Sequence, residues 1–176
     1  WRRVANAVAQ AENEDSRAYW ADRFYEILSD FRFVPGGRIL HGAGNPANVT
    51  LFNCFVLPRP RDSWEGIDET LHRMTLLMKA GGGVGIDLAT LRPKGAMVRS
   101  VNGRSSGAVS LGEIYSQRTG QIQQGGSRRG ALMISLPVWH PDIEEFITIK
   151  RELDKNGNSV HYTYANISVR VSDAFM

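Results

Sequence analysis

From residue 84 onward, short β-prone runs alternate with helical patterns: 84–88, 131–138 and 164–171 have strand character, while 111–121 and 141–152 have helical character. Neighbouring parallel strands cannot be joined by a tight turn and need a crossover, usually a helix, so this alternation predicts parallel βαβ units. The expected fold class is α/β, an open sheet or a barrel with both faces covered. Upstream, 63–79 is predicted to be a helix that buries Ile67, Leu71, Met74 and Met78, with Asp62 and Glu65 as its capping pair. An apolar run at 51–57 precedes it. Residues 3–31 have helical spacing, with Trp20, Phe24, Ile27, Leu28 and Phe31 on one face. Pro35-Gly36-Gly37 ends that pattern, and a loop or irregular strand is expected around Arg38-Ile39-Leu40. The expected division is an N-terminal helical region at 1–33 and an α/β region at 34–176.

Composition removes several classes of function. The 176 residues are 42% hydrophobic and 22% charged, ordinary for a globular chain, and no apolar run approaches the roughly 20 residues that span a bilayer, so no membrane partner is expected. The net charge is +3, yet Lys and Arg are scattered among 18 acidic residues and form no long basic block, so a nucleic-acid surface is not indicated. A single cysteine cannot close an internal disulfide, which points to a reducing, cytoplasmic setting. The chain opens at Trp1 and ends at Met176 directly after a strand-like run, so a fragment is expected; 4–15 is too polar and acidic for a signal core.

Four motifs carry chemistry. Cys54 lies in LFNCFVL, where a cysteine is either a small buried hydrophobe or a reagent. Gly81-Gly82-Gly83-Val84-Gly85 can end a helix or present bare backbone to a ligand, and it fits neither GxGxxG nor the GxxxxGK[ST] phosphate loop. Between 87 and 107, Arg92, Lys94, Arg99 and Arg104 sit among glycines and serines, a composition suited to phosphate or to a solvated loop. Gly125-Gly126-Ser127-Arg128-Arg129-Gly130 places paired arginines between glycines before a buried strand. His140-Pro141-Asp142 with Glu144 and Glu145 is a helix start rather than a metal site, with Ile143, Phe146 and Ile147 as the buried stripe, and His41, His72 and His161 lack ligand spacing.

Taken in this order, LFNCFVL, GGGVG and QQGGSRRGALMISLPVWHPDIEEFITIK resemble the catalytic subunit of ribonucleotide reductase. The resemblance implies that the α/β region is the first part of a ten-stranded α/β barrel and that the enzyme reduces ribonucleotide di- or triphosphates by a thiyl-radical route. It implies that Cys54 is one of two thiols that reduce the substrate. It implies further that Gly37, Asn53, Cys54, Gly83 and Arg128 face the substrate. Asp62, Arg92, Arg99 and Ser127 would hold a deoxynucleoside triphosphate effector, with 101–106 and the Arg128 segment as two specificity loops. The wording of VPGGRIL, GGGVGIDL and QQGGSRRGALM is most similar to the adenosylcobalamin-dependent class, whose cofactor would be bound largely outside this chain. A thioredoxin-type reductant is the implied partner, and a homodimer is left open. Three alternatives stand beside it: a reductase with a separate metal subunit, a glycyl-radical barrel, and a non-catalytic nucleotide-binding module of the same fold.

Overall fold

The structure, a computed structural model, describes residues 1–124 and 128–176, with the backbone alone described at 123, 124, 128 and 129. It divides into two units, Trp1–Asn53 and Cys54–Met176.

The first unit contains α1 (Arg2–Val8), two single 3-10 turns, α2 (Arg17–Ser29) and α3 (Gly37–Gly42). The single helix expected over 3–31 is broken because Glu12 and Asn13 are extended, with ψ of 163° and 143°. Val4, Ala5, Leu28 and Ala43 form the core, flanked by half-buried Phe24, Ile39 and Leu40. The expected apolar stripe is thus only partly buried: Trp20 is 37% exposed and Phe31 68%. Phe31 lies beyond the end of α2 in a left-handed conformation, φ 57°, which turns its ring off the helix face. The loop expected at Arg38-Ile39-Leu40 is instead the short helix α3. Its free C-terminal carbonyls are met from afar, since the Arg3 guanidinium donates to the carbonyls of Leu40, His41 and Ala43. The division expected after residue 33 falls inside this unit, because α2 and α3 contribute to one core.

The second unit comprises β1 (Cys54–Val56), α4 (Trp64–Lys79), β2 (Gly83–Asp87), β3 (Met97–Val98), β4 (Gly103–Arg104), α5 (Ala108–Gln121), β5 (Gln123–Gln124), β6 (Arg128–Arg129), β7 (Leu132–Pro137), α6 (Ile143–Thr148) and β8 (Ala165–Arg170). Among the described residues, β1, β2, β7 and β8 form a four-stranded sheet in that order, with every neighbouring pair parallel. Helices α4 and α5 lie in the crossovers, as the alternation requires. The segment 87–107 is not all loop, because β3 and β4 pair as a short antiparallel hairpin.

Sheet burial alternates. Val84, Ile86, Leu132, Ile134 and Leu136 pack with Met74, Met78, Tyr115, Phe146 and Tyr162 in the main core. Burying each such side chain is worth roughly 1.5–3 kcal/mol. Residues one step along point the other way, and that face is more open: Met133 is 49% exposed. The expectation that both faces are covered therefore holds for one face of the described residues. Two buried phenols tie the helices down, Tyr162 donating to the Val109 carbonyl at 2.7 Å and Tyr115 to the Ile67 carbonyl at 3.2 Å.

Helix α4 starts as predicted, but its cap is Ser63, whose Oγ accepts the Gly66 amide at 3.1 Å, and not an Asp62–Glu65 pair. Ser63 has the extended backbone an N-cap needs, while the Asp62 carboxylate is committed elsewhere. Helix α6 is shorter than expected; Phe146 is fully buried and Ile147 is 49% exposed, since a helix of under two turns presents a narrow face. No helix among the described residues is long and apolar enough to cross a membrane.

Candidate functional site

Cys54 is the first residue of β1 and pairs in register with Gly83, the first residue of β2. Register fixes direction as well as neighbourhood. Cys54 shares a sheet face with Gly83, Gly85, Met133 and Ser135, whereas Phe55 shares the opposite face with Val84 and Leu132. The thiol therefore stands on the open face and is exposed.

The glycine cluster shapes the ground beside it. Gly81 closes α4 with φ 99°, and the amides of Gly81 and Gly82 donate back to Met78 and Leu77 at 2.9 and 3.0 Å. At Gly82 a Cβ would lie 2.6 Å from the Phe55 ring, so only glycine lets that aromatic seat against the turn. Arg128 lies in β6, paired with Gln124 in β5; its side chain is outside the described residues, as is Ser127. In the first unit, Gly37 opens α3 with open space around it, and a Cβ on the preceding Gly36 would be 3.4 Å from Asn53 Nδ2. Gly37 and Asn53 are thereby brought to one neighbourhood.

Asp62 and Arg92 meet each other, 30 residues apart in sequence. Arg92 donates from Nε to Asp62 Oδ2 at 2.7 Å and from its amide to Oδ1 at 3.2 Å, and its two terminal nitrogens reach the carbonyls of Asp62 and Met97 at 3.3 Å. The guanidinium is thus a brace between the start of α4 and the β3–β4 hairpin. Beside it lies a cavity of about 260 Å³, walled by Trp64, Ile67, Val98, Val101 and Leu111 and edged by Arg92, Arg104, Ser105 and Ser106. Arg99 is exposed on the hairpin connection and does not line this cavity. Trp64, 64% exposed at the first turn of α4, was not singled out by sequence reasoning; it falls three residues before Ile67, in the spacing of the Ile67, Met74 and Met78 stripe, and that spacing was the available signal.

Electrostatics at this end of α4 favour anions at the first turn: hydrogen bonds from backbone and from Ser63 hold the Glu65 carboxyl below its ordinary range. Farther along the open face, Asp87 accepts from Arg59 Nε at 3.0 Å and lies 3.2 Å from Arg170 Nε. His140 and Asp142 are buried and spend their polar atoms on backbone groups. No group of three or more His, Cys, Asp or Glu able to hold a metal occurs among the described residues.

Residues 52–176 match the family model of the ribonucleotide reductase barrel domain, and residues 1–48 match that of the ribonucleotide reductase all-alpha domain. The chain belongs to the ribonucleotide reductase family. A vitamin B12-dependent ribonucleoside-diphosphate reductase from Mycobacterium tuberculosis (strain CDC 1551 / Oshkosh) is 40% identical over 99% of this chain and 25% of its own length. The protein of the same description from Thermoplasma acidophilum is 43% identical over 91% of this chain and 20% of its own. A ribonucleoside-diphosphate reductase subunit alpha from Chlamydia trachomatis is 31% identical over 99% of this chain and 16% of its own. The chain thus spans about a quarter or less of these curated reductases. Helices α1 to α3 lie within the stretch matched to the all-alpha domain, and the parallel sheet of the second unit lies within the stretch matched to the barrel domain.

Proposed function

We propose that the intact protein reduces ribonucleoside diphosphates to deoxyribonucleotides, and that this chain supplies one reducing thiol, part of the substrate floor and part of an effector site. The observation that carries the reading is the pairing of an exposed Cys54 with Gly83 at the head of two parallel strands. Loss of the 2′-hydroxyl as water consumes two electrons and two protons. A thiol pair delivers both by closing to a disulfide, so the balanced step is ribonucleotide plus two thiols giving deoxyribonucleotide, water and one disulfide. Cys54 is the only cysteine of this chain, so the second thiol and the thiyl cysteine are proposed to come from outside residues 1–176.

Bare backbone at Gly83 lets the sugar approach the sulfur closely, and Gly37, Asn53 and Arg128 are proposed to complete the substrate contacts. The diphosphate preference is drawn from the names of the relatives. Adenosylcobalamin is the proposed radical source, supported by greater identity to the B12-dependent relatives than to the chlamydial subunit; it would start the radical chemistry when bound. Its binding groups are proposed to lie largely outside residues 1–176.

For the effector, the cavity beside Asp62 and Arg92 offers apolar walls for a base and cationic edges for phosphates. Arg99, which does not line it, and Ser127 are proposed effector contacts on the strength of the family resemblance alone. A deoxynucleoside triphosphate bound there would bias the Arg128 segment and so the choice of base. A cytoplasmic location, a thioredoxin-type reductant and a homodimer complete the proposal. Incubating the intact protein with a ribonucleoside diphosphate, a dithiol and adenosylcobalamin should yield the deoxynucleotide. Absence of product with the cofactor, alongside nucleotide binding, would leave the non-catalytic module as the better account.

A further inference from the structure

We propose that Asp142 is a positioning residue whose carboxylate sets both feet of the β3–β4 hairpin and thereby the shape of the cavity beside Asp62 and Arg92. Asp142 is 7% exposed and sits just before α6. It accepts the Lys94 amide at 3.0 Å to Oδ1 and 3.2 Å to Oδ2, and the Ala108 amide at 2.9 Å to Oδ2. Those two amides flank the paired segment on either side. Gly95 donates to the Ser105 carbonyl at 2.9 Å and Ser105 to the Ala96 carbonyl at 2.8 Å, so the hairpin closes immediately inside the clamp. A single anion holds the entry and exit of one excursion of chain, and hydrogen bonds to a charged acceptor are about twice as strong as neutral ones.

Three further contacts point the same way. His140 Nδ1 accepts the Asp142 amide at 3.1 Å, and because an amide only donates and a carbonyl only accepts, Nε2 carries the proton and donates to the Leu91 carbonyl at 2.9 Å. This braces the Asp142 turn against the residue next to Arg92. Lys94 Nζ reaches Glu145 of α6 at 3.2 Å, on the same small helix. Gly107 has φ 94°, and a Cβ there would stand 2.9 Å from Asp142 Oδ2, so the carboxylate approaches the foot of the hairpin only because a glycine is present. The cavity residues Arg92, Val98, Val101, Arg104, Ser105 and Ser106 all lie between the Leu91 and Ala108 anchors. Asp142 does not line the cavity, so its role is to hold in place what does.

This inference rests on the reading of that cavity as an effector site, and the experiment separates the two. In the intact protein, affinity for each deoxynucleoside triphosphate, base selectivity, effector-free turnover and melting temperature are measured for the wild type, Asp142→Asn and Gly107→Ala. The wild type should bind an effector and change its base selectivity in response. Asp142→Asn keeps size but loses the charge, and it should weaken effector binding on the order of 10-fold. The selectivity response should flatten, with effector-free turnover within about twofold of wild type. Gly107→Ala, which displaces the carboxylate without removing it, should act in the same direction. Wild-type effector affinity and selectivity in both variants would overturn the positioning role while leaving the effector site standing. Equal loss of effector-free turnover and effector binding would overturn it too, as the mark of a general folding role. A wild type that binds no deoxynucleoside triphosphate would remove both readings.

Discussion

Cys54 and Gly83 are register partners at the heads of two parallel strands, and their shared direction turns the sulfur to the open face of the sheet. In the intact protein, Cys54→Ser should abolish multiple turnover with a dithiol reductant, because a hydroxyl cannot enter a disulfide. Substrate affinity should stay within about twofold, since serine keeps the shape. Sustained turnover by this variant in a steady-state assay would remove Cys54 from the redox step.

Arg92 uses its guanidinium on both the Asp62 carboxylate and the Met97 carbonyl. Arg92→Lys should therefore fail to restore what Arg92→Ala loses, because an ammonium cannot reproduce a planar fork. Both variants should weaken deoxynucleoside triphosphate binding on the order of 10-fold, read by equilibrium titration. Full recovery in the lysine variant would show that charge alone suffices there.

Gly112 on α5 faces the Tyr162 hydroxyl so closely that a methyl group at this position would overlap it. Gly112→Ala should displace the phenol from the Val109 carbonyl and destabilise the fold by about 1–3 kcal/mol, measured by denaturant unfolding. Tyr162→Phe removes the hydroxyl and its bond to that helical carbonyl, at a cost of about 0.5–1.5 kcal/mol. The double variant should cost less than the sum, because phenylalanine relieves the overlap.

Burial raises the Tyr115 phenol from 10.0 to about 12, and burial followed by the nearby Glu113 and Glu145 carboxylates raises Tyr162 as well. A raised folded value means that the protonated phenol is favoured in the native state. Below pH 10 both states keep the proton and the stability is fully present. As pH climbs from 10 to about 12, the unfolded chain releases protons that the native core retains, and stability falls. Circular dichroism melts across this window should show the loss, and Tyr115→Phe should make it shallower.

Much of the second unit was legible in advance because its signals are local. The buried faces of β2 and β7 and the stripe on α4 all obey simple periods, and the β2, β7 and β8 bounds lie close to those expected. What could not be seen depends on partners far along the chain. Helix α3 follows a Pro-Gly-Gly signal that normally marks a loop, and its carbonyls are satisfied by Arg3, up to 40 residues away. The carboxylate of Asp142 finds amides 48 and 34 residues upstream, so its acidic helix-start pattern described only the nearest fraction of its work. Asp62 was expected both to cap α4 and to serve the effector; its partner is Arg92, and Ser63 took the cap. The open face of the sheet was missed because apolar runs conceal which alternate residues are turned outward.

The contact between Phe55 and Gly82 has a mechanical corollary. An aromatic plate lying on bare peptide has no flexible side chain to absorb error, so β1 has little freedom to slide or lift. The depth at which the neighbouring sulfur is offered is consequently dictated from the reverse side of its own strand, by a ring that need never touch what the sulfur meets.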